Sequence, residues 1–269
     1  VFALGGVRPG GACAVLSETQ SRPILPQLAE LALARLGARC FHLVLPARPL
    51  AAPVPVRSTG ASDAIGRLDP VVQALAASVF VVDCTIEGLQ HAVELPRILQ
   101  GGARVLAISN EHPEILERCL PRAADEAVVR DAMRRLKSAR EMQVGSAAGT
   151  DLRIDLAGAR IGGVWGFTAK PGSLSHWPGG LVLAFPAAGS VNGTLVLDRG
   201  DVNLTFKRYL QDPVRLVIEN DHAMQVLGDH VDAEMMRGYF EAWGDPQAYA
   251  VSHVGWGLNR GARWDAMTF

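Results

Sequence analysis

Seven histidines carry most of the chemistry open to this chain: His42, His91, His112, His176, His222, His230 and His253. His253 stands in Val251-Ser252-His253-Val254-Gly255-Trp256-Gly257-Leu258-Asn259, between an apolar run at 249–251 and a Gly-x-Gly turn. The pattern reads as strand becoming loop, with glycines that leave room for backbone or ligand to approach, and suits either a metal ligand or a hydrogen-bonded structural histidine. His91 reads as lying near the start of a helix that follows a strand at 79–83. In an open parallel sheet the crevice beyond the carboxyl ends of the strands is the usual ligand site, and a helix start favours an uncharged base, so His91 is a neutral base or a solvated helix histidine. His176 falls in Ser173-Leu174-Ser175-His176-Trp177-Pro178-Gly179-Gly180, a rigid loop that suits a ring-shaped ligand or a tight turn.

Other patterns point away from chemistry. His230-Val231-Asp232 has the form of a His-x-Asp metal pair, but it opens an amphipathic helix, where neighbouring side chains diverge, and reads as helix initiation. His42 lies within a strand, His112 precedes a proline at a helix start, and His222 follows an Asn220-Asp221 hairpin turn, so these three read as structural. Gly5-Gly6-Val7-Arg8-Pro9-Gly10-Gly11 precedes a strand and lacks the Lys-Ser/Thr of a phosphate loop, which makes it a turn. Neither a G-x-S-x-G elbow nor an H-E-x-x-H helix is present.

The elements that must position these residues divide the chain in two. Segments 12–16, 40–45, 79–83 and 104–109 read as strands, alternating with helices at 24–36, 69–77 and about 88–100 and followed by helices at 114–120 and 123–142. This alternation predicts an α/β N-terminal domain over 1–142, with a mostly parallel, Rossmann-like sheet flanked by helices. Beyond it, glycine and short apolar runs at 152–156, 161–167, 181–185, 193–197, 202–206, 214–219 and 224–227, with one helix at 231–243, predict a strand-rich α+β C-terminal domain over 143–269. Hydrophobic residues make up 49% of the 269, which suffices for packed cores, and the net charge of −1 excludes a nucleic-acid footprint or a polybasic membrane anchor. Apolar runs at 74–82, broken only by Ser78, and 181–186 are far shorter than the roughly 20 residues of a membrane span. Four scattered cysteines, Cys13, Cys40, Cys84 and Cys119, read as reduced and mostly buried thiols, and the expected setting is a soluble cytoplasmic protein.

Three segments carry a resemblance: His176-Trp177-Pro178-Gly179-Gly180, Gly193-Thr194-Leu195-Val196-Leu197-Asp198-Arg199-Gly200-Asp201, and Ser252-His253-Val254-Gly255-Trp256-Gly257-Leu258. In order and spacing they closely resemble the 2,5-dihydroxypyridine 5,6-dioxygenase family, Fe(II) ring-opening enzymes of bacterial nicotinate degradation. That family is related to the aminopeptidase T-like metallopeptidases, with an α/β N-terminal domain and a C-terminal metal-binding domain. The resemblance implies Fe(II), a small aromatic substrate, O2 and a homo-oligomer. It places His253 on an iron ligand in a set of two histidines and one carboxylate, His91 on an acid/base for the substrate hydroxyl, and His176 on a substrate contact, with Trp177 shaping the pocket wall.

The chain also departs from the family. A glutamate of the family's substrate pocket aligns with Val164, which cannot hydrogen-bond a ring nitrogen or hydroxyl; an unmatched buried polar group costs roughly 1–3 kcal/mol, so the preferred ring is 2,5-dihydroxypyridine or an analogue. The remaining iron ligands belong to a His-x-Asp motif further along the family's sequence, and His230-x-Asp232 does not replace it. Both ends read as cut: the chain opens at Val1 and closes within the amphipathic stretch 264–269. Two rivals stand beside the dioxygenase. A metallo-aminopeptidase would need carboxylates at Gly180 or Leu181 and at His253, which are missing; an inactive binding homologue would account for Val164.

Overall fold

The computed structural model describes residues 1–57, 60–108 and 111–266. Its first layer grows from short apolar runs too far apart in sequence for hairpins and separated by helices, so they pair in parallel. Strand β1 (Ala12–Glu18) lies between β2 (Arg39–Leu45) and β3 (Phe80–Asp83), and β4 (Arg104–Ala107) continues the sheet beside β3. β1 and β3 are buried almost throughout, which is why they read as unbroken hydrophobic runs. Helices α1 (Ile24–Arg35), α2 (Asp69–Ala76) and α3 (Leu95–Gln100) supply the crossovers. One core joins Leu16, Val81, Leu75 and Ile98; another joins Val15, Phe80 and Val82 to Leu33 of α1. The fifth strand, β8 (Ser173–His176), arrives from the second half of the chain and pairs in parallel with β4, Ala107 opposite His176.

After α4 (Pro113–Arg118) and α5 (Asp125–Ser138) the pattern changes to hairpins. An antiparallel sheet runs in the order β14 (His222–Leu227), β13 (Val214–Glu219), β10 (Val191–Leu197), β6 (Asp151–Asp155) and β5 (Glu141–Gly145). A smaller one runs β15 (Val254–Gly257), β9 (Leu181–Phe185), β7 (Arg160–Val164), and β11 (Val202–Asn203) with β12 (Arg208–Tyr209) forms a short ribbon. Alternating exposed and buried positions along β6 place Leu152 and Ile154 in a core with Val182, Ala184, Leu216 and Val226, covered by Ala132 and Leu136 of α5 and Met236 of α6 (Val231–Ala242). Asn220 and Asp221, both at positive φ (48° and 69°), make the two-residue turn between β13 and β14.

The mostly parallel α/β sheet and the strand-rich α+β half are as the residue pattern predicts; the differences lie at the site-bearing segments. The helix expected at 88–100 is shortened to α3, leaving His91 in an irregular turn. Residues 141–142, expected at the end of a helix, open β5, and the strand expected at 202–206 is only the two-residue β11. Segment 173–176, expected as loop, is β8, and 254–257, expected as a turn, is β15; Tyr249 ends a short 3-10 helix instead of opening a strand. Ser109 and residues 267–269, which the reading assigned to a strand and an amphipathic end, lie outside the described residues. Cys13, Cys84 and Cys119 are buried, whereas Cys40 is exposed on β2 with its thiol pushed up to about 11 by partial burial first and the neighbouring Cys13 second. No described helix is long and apolar enough to cross a membrane.

Because Leu16 is fully buried in the interior strand β1, its replacement by alanine is expected to cost about 2–5 kcal/mol of unfolding free energy, read as a lower urea midpoint at unchanged slope.

Candidate active site

Parallel pairing puts the carboxyl ends of β1, β3, β4 and β8 along one edge, marked by Glu18, Asp83, Ala107 and His176. Asp83 is fully buried there. Its Oδ1 accepts hydrogen bonds from the Thr85 backbone N–H (3.0 Å) and Thr85 Oγ1 (2.6 Å), and its Oδ2 accepts from the Leu89 N–H (2.6 Å). Burial pushes this carboxyl up to about 6, against the pull of those three hydrogen bonds and with a further push from the Glu18 charge. The segment after β3 therefore wraps around a carboxylate, Gly88 turns it at φ 76°, and a helix forms only at Leu95, with Pro96 in its first turn. The helix-start potential inferred for His91 does not apply, since α3 begins four residues later.

His91 is exposed, and its N–H donates to the Gly60 carbonyl (3.2 Å). A Cβ at Gly60 would stand 3.1 Å from His91 Cδ2, so the ring lies against that glycine. His176 is half-buried at the end of β8; burial first and the neighbouring His91 second hold its pKa below the ordinary 6.5. The fold thus brings His91 and His176, which are 85 positions apart by number, to the same crevice. An uncharged imidazole at His176 can donate from one ring nitrogen and accept at the other.

The loop after His176 is tied on three sides. The Trp177 N–H donates to Ala107 O (2.9 Å) and its indole Nε1 to Cys119 O (3.0 Å), while the ring packs on the core that includes Leu116 and Leu106. Following the cis Trp177-Pro178 bond, the Gly180 N–H donates to the carbonyl of Val164 (2.7 Å), Leu258 N–H to Gly180 O (2.6 Å) and Asn259 Nδ2 to Gly179 O (2.9 Å). A Cβ at Gly179 would collide with the Gly166 backbone, so this close approach requires glycine. Val164, half-buried at the end of β7, shares this junction through its backbone and has no polar side-chain atom to offer.

His253 stands apart from the pair. It precedes β15, whose Val254 pairs with Ala184 while Gly257 pairs with Leu181. About 10 Å of strand thus separates its level on β9 from the glycine turn. Its ring is exposed, tilted against Phe185 at 5.7 Å between centroids, with Nδ1 3.2 Å from Ser252 Oγ. An Nδ1–H donated to that hydroxyl leaves Nε2 as a ligand atom, the arrangement a metal-binding imidazole adopts. A centre of two histidines and one carboxylate needs three donors, and among the described residues His253 belongs to no such group. The group of three that does occur is Asp212, His230 and Asp232, with ligand atoms within 4.8 Å of one another. There, Asp232 Oδ2 accepts from the Gln211 (2.7 Å) and Asp212 (3.2 Å) N–H groups, its Oδ1 faces Arg208 (3.2 Å), and His230 Nε2 lies 2.8 Å from Pro213 O. These bonds hold the turn before β13 and already balance the buried charge; they run to that turn, and His230 makes no side-chain cap bond at the start of α6 where the sequence suggests helix initiation, nor do they complete an iron set around His253.

Sequence reading missed Asp83 and Glu18. The available signal was an acidic residue ending each of two otherwise apolar strands, where a solvated charge would be out of place.

The lowered pKa of His176 has a consequence for stability. As pH falls below 6.5 the unfolded chain takes up a proton at this position before the folded chain does, so the contribution of the neutral ring to stability declines until its folded pKa is passed. Asp83, shifted the opposite way, is common to parent and variant. A His176→Gln protein is therefore expected to lose less stability than the parent as pH falls below about 6.5 in urea titrations.

The chain can now be set beside known proteins. The family profile described as NicX, 2,5-dihydroxypyridine 5,6-dioxygenase, matches residues 1–269. The 2,5-dihydroxypyridine 5,6-dioxygenase of Pseudomonas putida KT2440 is 35% identical over 269 residues, covering 99% of this chain and 76% of that protein. The solved structure of 2,5-dihydroxypyridine dioxygenase from the same organism superposes with a TM-score of 0.87 at 35% identity, again over 99% of this chain and 76% of the other. AmpT from Thermus thermophilus aligns with a TM-score of 0.56 at 15% identity over 94% of this chain and 75% of its own, a likeness of fold alone. Family match, sequence identity and superposition agree: the chain belongs to the 2,5-dihydroxypyridine 5,6-dioxygenase family.

Proposed function

We propose that this protein is a mononuclear, non-haem Fe(II) dioxygenase of extradiol type that opens the ring of 2,5-dihydroxypyridine, or a close analogue, with both atoms of O2, in the breakdown of N-heteroaromatic compounds such as nicotinate. The single observation that carries the reading is the convergence of His91 and His176 at the carboxyl edge of the parallel sheet in a chain of this family. The chain is taken as two domains divided at 142/143, with β8 of the second completing the sheet of the first, so that the crevice is built by both. The reading includes a homo-oligomer in the cytoplasm.

His91, exposed at the crevice, takes the proton of the substrate hydroxyl, which makes the ring electron-rich. His176, kept uncharged by burial, hydrogen-bonds the substrate and holds its orientation without adding a second positive charge. Trp177, anchored to the cores of the sheet, shapes one wall, and the loop it begins excludes water from that side. Bound Fe(II) would supply the route for electrons from the activated ring to O2, and His253 is the residue here that would contribute to holding it. Val164 gives the pocket an apolar contact where the family carries a glutamate, which favours rings with fewer polar positions facing β7.

The test is oxygen uptake by anaerobically Fe(II)-loaded protein with 2,5-dihydroxypyridine and a panel of hydroxylated pyridines. Uptake coupled to loss of ring absorbance is expected in the parent. His253→Ala should lose bound iron and turnover together, and His91→Ala should lose turnover by about 100-fold or more with iron retained. Val164→Glu is expected to change the ranking of rings by roughly 10-fold or more. Stoichiometric iron without ring opening would refute the substrate class; wild-type turnover in His253→Ala would refute the ligand assignment.

A further inference from the structure

Two buried carboxylates behind the crevice touch neither His91 nor any position assigned to substrate. Glu18, 4% exposed at the end of β1, accepts at Oε1 from Ser62 Oγ (2.9 Å) and from the Ile86 N–H (3.1 Å). Asp83, fully buried at the end of β3, takes the N–H groups of Thr85 and Leu89 and the Thr85 hydroxyl. Between them the two side chains bind the backbone at 85, 86 and 89 of the turn that ends in His91. A second layer closes over it: the Ser62 N–H donates to Gly88 O (2.7 Å), the Gly60 N–H to Glu87 Oε2 (3.0 Å) and the His91 N–H to Gly60 O.

Burying two like charges side by side is unfavourable for folding; the charge acting on Asp83 is that of Glu18, and it opposes ionisation. A neutral amide could not serve as well, because Asn at position 83 would turn an NH2 group toward Thr85 or Leu89, both donors. The fold therefore tolerates an electrostatic cost in the irregular turn that carries His91.

We propose that Asp83 and Glu18 are positioning residues for His91: they clamp the 84–91 turn through its backbone N–H groups and thereby fix where the imidazole meets the substrate. The inference rests on His91 acting as the acid/base, and it adds the device that aims it.

The test uses Fe(II)-loaded enzyme and 2,5-dihydroxypyridine. Asp83→Asn and Glu18→Gln are expected to lower kcat by about 10- to 100-fold, as misplacement of a reacting group by an ångström does, with KM within about threefold and iron content unchanged. Hydrogen exchange should accelerate in peptides covering 84–91 and not in β13 or β14. Should Asp83→Asn fail to fold, Thr85 provides the second arm: Thr85→Val, which removes one donor, should lower kcat, and Thr85→Ser, which keeps the hydroxyl, should restore it. Wild-type kcat and unchanged exchange in Asp83→Asn, or equal kcat in Thr85→Val and Thr85→Ser, would overturn the clamp while leaving the functional reading intact. Wild-type turnover in His91→Ala would overturn the reading of His91, and the inference with it.

Discussion

The site depends on one hydrogen-bond ladder, that between β4 and β8. Four residues from the second half of the chain, Ser173–His176, enter the parallel sheet of the first, and the ladder continues for one further bond through the Trp177 N–H. This pairing sets His176 at the same edge as Glu18 and Asp83, and it delivers the chain into the Trp177-Pro178-Gly179-Gly180 turn at the place where β7 and the segment after β15 can be tied to it. The two halves also share core contacts through Ala132 and Leu136 of α5 and through Trp177, but it is the ladder that sets the level of His176 along the sheet. Parallel edge pairing is slightly weaker per residue than antiparallel pairing, so the additional bonds to Ala107, Cys119 and Val164 matter for holding it.

Electrostatics at that edge follows from burial. Asp83 and Glu18 stand where the strands end inside the protein, and each carboxyl accepts from N–H and O–H donors of loops. The same burial acts in the opposite sense on His176, disfavouring its charged form. Burial thus sets the Asp83 carboxyl beneath the crevice and the imidazole at its rim in opposite senses. His91, by contrast, is exposed.

Much of this was legible in the residues. The parallel sheet followed from buried apolar runs spaced by helical patterns, and the change to antiparallel pairing followed from glycine-punctuated alternation, as in Asp151–Asp155. The structural settings read for His42, His112 and His222 are present: the first bonds Ser17 and Glu30, the second caps α4, and the third follows the hairpin turn. What local pattern could not reveal was decided by contacts distant in sequence. Three of the four residues of Ser173–His176 are polar and the segment is flanked by Pro and Gly, so nothing local marks it as strand; its partner in β4 does. Leu89, Ala92 and Leu95 have helical spacing, yet after Gly88 at φ 76° the backbone makes only i→i−3 turns, Ala92 N–H to Leu89 O and Leu95 N–H to Ala92 O, before α3 begins. Gly255 looks like a turn residue, but a Cβ there would strike the Val182 backbone, and its absence is what lets β15 close against β9.

On the proposed function, this crevice serves the insertion of O2 into a hydroxylated pyridine. The most direct measurement is a single turnover of Fe(II)-loaded protein with 2,5-dihydroxypyridine under 18O2, with the ring-opened product weighed by mass spectrometry. The account predicts that both labelled atoms appear in one product molecule. A product carrying one label with the other lost to water would contradict the dioxygenase reading, and a product carrying none would place the chemistry with hydrolysis instead.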